Sequence, residues 1–297
     1  MGQGSHERVG EALPASRRAV DFPWAASGRS LGVMGVLNVT PDSFYPASRT
    51  PSSELTARLA ELASAGADVI DIGGESTRPG AEPVPAAEEL ERVLPAIREV
   101  RAGWPEIPVS IDTYKASVAA AALDAGAAIV NDVSGGLLDP AMADLVAERE
   151  AVIIVGHLRG TPQTMREVSE YGDVVEEVYA ELEERVRAFR EAGVSRERIW
   201  IDPGIGFAKR AEASRTLLFG LRRFREMEQP IVIGLSRKSF LGEALSEAGI
   251  ENCGPDTRLE ASLAAAVVAA ERGAVLIRSH DVAPTRRALA VLEGDWV

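Results

Sequence analysis

Nine polar side chains stand at or just behind short apolar runs: Asn38, Asp71, Asp112, Asn131, His157, Asp202, Lys238, Arg278 and His280. Their types suggest two kinds of chemistry. Asp112, Asn131 and Asp202 supply an acceptor, an amide that both donates and accepts, and a second acceptor. Converging on one cavity, they form a recognition set for a flat heterocycle bearing amino and ring N–H groups. Lys238, Arg278 and His280 suit one small anion such as a phosphate. Arg278 and His280 alternate around Ser279, and alternation along an extended chain puts both on one side. Asn38 offers an oxygen that a hard cation such as Mg2+ accepts, and equally a turn cap. Asp71 lies between Ile70 and Ile72, so a carboxylate there needs a partner.

The runs that must position these residues lie at 31–38, 67–71, 107–112, 127–131, 151–157, 198–202, 229–236 and 274–280. They are rich in Val and Ile and alternate with stretches of helical spacing, the pattern of a parallel sheet with crossover helices. Helices are expected at 54–64, 88–100, 117–124, 140–148, 174–192, 213–224, 259–272 and 284–293. Gly66, Gly126, Gly193 and Gly273 each follow one, where a left-handed cap is expected. Residues 241–258 interrupt the alternation and read as an exposed connector or as a loop near a subunit contact. Eight such units in 297 residues fit a single (β/α)8 TIM barrel, normally about 250 residues, with a short N-terminal extension. Residues 1–29 are then an extension or barrel-bottom cap, and 30–297 the barrel. Such a barrel gathers its strand ends on one face, where its chemistry is done.

Composition narrows the class further. Apolar residues make up 46% and charged residues 26%, as in a globular enzyme with an ample core. A net charge of −13 argues against a nucleic acid or a membrane surface as partner. Lysine is rare, occurring only as Lys115, Lys209 and Lys238, and all three fall beside strand-end motifs. Cys253 is alone, which rules out an intramolecular disulfide and suggests a reducing compartment. With neither a leader-like start nor a long apolar stretch, the expected location is cytoplasmic. His6, His157 and His280 are too few and too scattered for a zinc site, and no serine nucleophile elbow is present. Gly204-Ile205-Gly206 lacks the spacing of either nucleotide-binding loop.

The loops are more specific than the rhythm. Asn38-Val39-Thr40-Pro41-Asp42-Ser43-Phe44, Gly73-Gly74-Glu75-Ser76-Thr77-Arg78-Pro79-Gly80 and Asp202-Pro203-Gly204-Ile205-Gly206-Phe207 occur in that order. Ser236-Arg237-Lys238-Ser239-Phe240 and Arg278-Ser279-His280-Asp281-Val282 follow them. Together they resemble the dihydropteroate synthase family, from residue 31 to about 290. The resemblance implies a folate-pathway transferase, with 6-hydroxymethyl-7,8-dihydropterin diphosphate and 4-aminobenzoate condensed to 7,8-dihydropteroate and diphosphate. It implies that Asp112, Asn131, Asp202 and Lys238 hold the pterin, with Asp71 in its floor or supporting it. Asn38 would hold Mg2+ with the diphosphate, and Arg278 and His280 would bind the leaving diphosphate. Thr77, Arg78, Pro79, Phe207 and Ser239 would line the aminobenzoate side. A homodimer, through late helices, is implied as well.

Three positions depart from the family's habit. Tyr45-Pro46-Ala47-Ser48-Arg49 replaces the usual Ser-Asp-Gly-Gly after Asp-Ser-Phe, so Pro46 stands for a loop carboxylate. Ala208 stands where glycine is frequent, and Ser279 where valine is frequent. Two other readings share the scaffold: a pterin-dependent methyltransferase barrel serving a corrinoid protein, and a pterin-binding paralogue without catalysis. The methyltransferase has no use for a diphosphate-binding Arg278 and His280.

Overall fold

The structure, a computed structural model, describes residues 22, 24–25, 28–39 and 52–293. Each apolar run forms a strand whose residues are almost all buried, as expected when one face meets the barrel lumen and the other a helix. The strands are β1 (Gly32–Asn38), β2 (Val69–Gly73), β3 (Val109–Asp112), β4 (Ile129–Asp132), β5 (Val152–Gly156), β6 (Ile199–Asp202), β7 (Ile231–Gly234) and β8 (Ala274–Ser279). They pair in sequence order as a closed parallel barrel, with β8 returning to β1. This is the (β/α)8 TIM barrel that the alternation predicts.

Register brings the strand ends level. Asn38 pairs with Gly73, Gly73 with Asp112, and Asp112 with Asn131. Across the barrel Gly156 pairs with Asp202, and Gly234 with Arg278. Directly paired residues on parallel strands project to the same face, so this register aims the polar set at one mouth.

The opposite end of the lumen is apolar. Met34, Val69, Ile129, Ile154, Trp200, Val232 and Leu276 pack there with Trp24, and Phe22 lies against them. Phe22 stacks on Trp24 at 4.8 Å between ring centroids, and the Trp24 edge meets Trp200 at 6.3 Å. Gly32 makes room for this plug, since a Cβ there would sit 2.6 Å from the Trp24 ring. Residues 1–21 of the extension lie outside the described residues, as does the altered segment Tyr45–Arg49.

Nine α-helices surround the barrel among the described residues: α1 (Ser52–Ser64), α2 (Ala86–Gly103), α3 (Ala116–Asp124), α4 (Ala141–Glu148), α5 (Val174–Glu191), α6 (Ala211–Phe219), α7 (Ser239–Glu247), α8 (Leu259–Glu271) and α9 (Val282–Glu293). Gly66, Gly126, Gly193 and Gly273 have φ of 84°, 108°, 101° and 111°, the left-handed conformation expected after a helix. None of the helices is long and apolar enough to cross a membrane.

Two expectations need correction. The supposed connector at 241–258 begins with helix α7, whose Phe240, Leu241 and Gly242 are buried. Its glycine hid it: Gly242 weakens helical propensity, yet a Cβ there would lie 2.6 Å from Arg258 Nε. The helix expected at 213–224 stops at Gly220 and tightens into a 3-10 turn over Leu221–Met227. A side chain at Gly220 would meet Val175 at 2.6 Å, so close packing against α5 dictates the break.

Candidate active site

Asp71 lies one inward-facing step below the strand ends, two residues before Gly73, and is fully buried. An isolated carboxylate there would cost several kcal/mol, on the order of 2–7 even for a neutral polar group. Arg278 supplies the partner. Its Nε donates to Asp71 Oδ2 at 2.6 Å, and its Nη2 donates to Asp112 Oδ2 at 2.6 Å. Asn131 Nδ2 also donates to Asp71 Oδ2, at 3.2 Å. One guanidinium thus serves two carboxylates. Burial pushes Asp112 up to about 7, against the pull of Arg278 and aided by the charge on Asp71. Burial disfavours the charged Arg278, but Asp71 and Asp112 outweigh it and hold its pKa above the usual arginine value.

The facing wall comes from the turn after β6. Asp202 Oδ1 accepts from Gly204 N at 2.8 Å, which folds the turn back on the strand end. Gly204, Gly206 and Ala208 all have positive φ, at 68°, 86° and 49°. Lys238 begins the α7 turn and donates from Nζ to Ile205 O, lying 4.5 Å from the centroid of the Phe207 ring. Burial lowers Lys238 to about 8 against the pull of Asp202, and burial raises Asp202.

Behind this turn lies a polar unit whose geometry the sequence did not disclose. Lys209 Nζ meets His157 Nδ1 at 2.8 Å and donates to Gly204 O and Phe207 O at 3.0 and 2.9 Å. His157 Nε2 faces Glu181 Oε2 at 3.0 Å. Burial, with Lys209 beside it, lowers His157 to about 3, so the ring is neutral, accepting at Nδ1 and donating at Nε2. The only available hint was that Lys209, like the other two lysines, follows a strand-end motif.

Thr77, Asp112, Asn131, His157, Asp202, Phe207, Lys238 and Arg278 line one cavity at the barrel mouth, with glycines at 156, 204 and 234. Asp71 lies beneath it rather than on its surface. Asn38, Arg78, Pro79, Ser239 and His280 are not among its lining residues. Asn38 still stands at the same rim: a Cβ on Gly73 would lie 3.7 Å from Asn38 Oδ1 and 3.6 Å from Asp112 Oδ2. Arg78 and Pro79 form the exposed tip of the loop after β2. Ser239 is exposed and borders an outer groove with Gly242, Cys253 and Arg258.

His280 Nδ1 lies 3.1 Å from Ser236 Oγ. Burial and then Arg278 lower it to about 4, so it is a neutral hydrogen-bonding group at neutral pH and not a standing cation. Arg278, placed from sequence with the anion-binding residues, also crosses from β8 to both carboxylates, so the heterocycle set and the anion set share it. Arg237 adds a support not singled out from sequence. Its Nε and Nη2 each donate to Asp281 at 2.8 Å, tying the loop after β7 to the end of β8.

Residues 34–280 match the family model described as pterin binding enzyme. The chain is 41% identical over 276 residues to the dihydropteroate synthase of Synechocystis, covering 93% of this chain and 92% of that one. A dihydropteroate synthase structure from Xanthomonas albilineans with 4-aminobenzoic acid superposes with a TM-score of 0.80 at 43% identity, covering 89% of this chain and 92% of that one. A Burkholderia cenocepacia dihydropteroate synthase complexed with 7,8-dihydropteroate gives 0.78 at 42% identity, covering 89% and 90%. With this barrel, this cavity and these matches, the chain belongs to the dihydropteroate synthase family of pterin-binding enzymes.

Proposed function

We propose that the barrel-mouth cavity binds 6-hydroxymethyl-7,8-dihydropterin diphosphate and presents its methylene carbon to 4-aminobenzoate. The observation that carries this reading is the convergence of Asp112, Asn131, Asp202 and Lys238 on one cavity whose edge holds Arg278. Asp112 and Asp202 accept from the amino and ring N–H groups, and Asn131 reads a donor and an acceptor together. Arg278 and His280 face the diphosphate. His280 donates to it as a neutral ring, or takes up a proton when the anion raises its pKa.

The reaction breaks the bond between the methylene carbon and the diphosphate oxygen, and the electron pair leaves with the diphosphate. Positive charge spreads into the pterin, where Asp112 and Asp202 stabilise it electrostatically. The amine lone pair then forms the new C–N bond and the nitrogen sheds a proton. No step needs a nucleophile from the protein. Asn38, whose Oδ1 lies beside the side-chain-free Gly73 at the rim, would hold Mg2+ through that oxygen, a hard ligand suited to a cation bound through few protein groups. Mg2+ held there with the diphosphate would supply charge neutralisation.

Diphosphate release, followed by a coupled assay, is expected only when Mg2+ and 4-aminobenzoate are both present. A folded preparation that binds the pterin without turnover would favour the non-catalytic paralogue. Lack of affinity for diphosphate would favour the corrinoid-linked methyltransferase.

The assembly is a homodimer formed through the late helices, among them α8, which carries Ala264 exposed and Ala261 and Val268 half-buried at the edge of the core. So many small apolar residues on an outer helix suit a close helix contact with a second copy. Sedimentation equilibrium should return twice the 31.6 kDa chain mass, and a single-chain mass at micromolar concentration would reject the dimer.

A further inference from the structure

The third lysine has no part in the cavity. Lys115, just before α3, joins Glu75 of the loop after β2 to Glu89 of α2. Its Nζ donates to Glu75 Oε2 and, at 2.5 Å, to Glu89 Oε2. Glu75 is nearly buried and Glu89 fully so. Tyr114 donates to the other Glu75 oxygen at 2.8 Å. One residue earlier, Gly74 O accepts from Arg92 Nη1 at 2.6 Å, and a Cβ on Gly74 would lie 2.8 Å from Val93. The root of this loop is therefore held from several sides.

Its tip is held by little. Arg78, Pro79 and Gly80 are exposed, and Gly80 N donates to Pro162 O at 2.9 Å. Thr77, which lines the cavity, lies two residues past Glu75, within about 7 Å of chain. Only Ser76 separates the anchored Glu75 from Thr77 along the chain. The barrel has its own supports beside this cluster: β2 and β3 pair through their backbone, and α2 packs through Val93, Ala96, Ile97 and Val100.

We propose that Lys115 is a positioning residue for 4-aminobenzoate: by clamping Glu75 to Glu89 it sets where Thr77 and Arg78 stand over the cavity. The proposal rests on the assignment of the loop after β2 to the aminobenzoate side. It concerns the loop after β2: Asn131, Asp202 and Lys238 are borne by other elements, and Asp112, three residues before Lys115, is held in β3 by its pairing with β2 and β4.

The test varies each substrate in turn for Lys115→Met, Lys115→Arg, Tyr114→Phe and, as a reference for the loop, Arg78→Ala. Lys115→Met is expected to raise KM for 4-aminobenzoate by about tenfold, since a misplacement near 1 Å costs up to about a hundredfold. Tyr114→Phe keeps every charge and should raise KM by about threefold, and Lys115→Arg should restore most of the loss. Turnover at saturating 4-aminobenzoate and the Kd for the pterin diphosphate should stay within about twofold of the parent, as expected for a change confined to one substrate's binding. If Arg78→Ala raises that KM but Lys115→Met and Tyr114→Phe do not, the clamp is refuted while the loop assignment stands. If Arg78→Ala has no effect, the loop assignment fails and the proposal falls with it. Equal losses for both substrates would make Lys115 a structural residue only. Should Lys115→Met not fold, Tyr114→Phe decides alone.

Discussion

Arg278→Leu is expected to lower kcat/KM by at least about a thousandfold and to destabilise the fold by about 3–5 kcal/mol, the cost of leaving a buried charge without its partner. Two carboxylates depend on this guanidinium. Asp71 has no exposed surface, and its accepted bonds come from Arg278 and from Asn131 at the longer distance of 3.2 Å. Asp112 would keep a strand-end position but lose its counter-charge. Urea unfolding reads the stability and coupled diphosphate release reads the turnover. The double variant Asp71→Asn with Arg278→Leu separates the two roles. Removing the orphaned charge should return much of the stability without returning activity. An Arg278→Leu protein as stable and active as the parent would overturn both the pairing and the diphosphate role.

The pH profile of kcat/KM is expected to be a narrow bell with limbs near 7 and 8, falling about tenfold per pH unit on either side. Burial raises Asp112 to about 7, with Arg278 opposing and Asp71 assisting, and a protonated Asp112 no longer accepts from a pterin N–H. Burial lowers Lys238 to about 8, and above that pH it no longer presents a cation. Asp112→Asn should remove the acid limb and lower the maximum by about a hundredfold, the scale of a lost electrostatic contact. A profile flat from pH 5 to 7 would reject ionised Asp112 as the acceptor.

Linkage gives these shifts a second consequence. The folded pKa of Asp112 lies above its unfolded value, so its stabilising contribution is present below the ordinary carboxylate range and lost as pH rises through about 7. The folded pKa of Lys238 lies below its unfolded value, so its contribution is present above the ordinary lysine range and lost as pH falls through about 8. Both groups therefore oppose stability in the window where both are charged and activity peaks. Ligand binding should offset part of that cost, and thermal unfolding near pH 7.5 should respond strongly to the pterin diphosphate.

Much of the scaffold was legible because it is written locally. Alternating apolar runs and helix-ending glycines such as Gly66 and Gly273 report on neighbouring residues alone, and the strands they mark were placed within a few positions. The failures had tertiary causes. Helix α7 was obscured by Gly242, which Arg258 requires, and the helix before Leu221 was cut by the approach of Val175 to Gly220.

The sequence by itself determined the barrel, the rim on which Asp112, Asn131, Asp202 and Lys238 meet, and the family, because strand-end residues of a closed parallel barrel must share one face. Tertiary structure alone decided how the charges are shared. Asp71 and Arg278 are 207 residues apart in the chain, and Lys115 is 26 from Glu89 and 40 from Glu75. Which carboxylate takes which cation depends on barrel closure and burial, since a pair's worth is set by distance and local dielectric rather than by residue type.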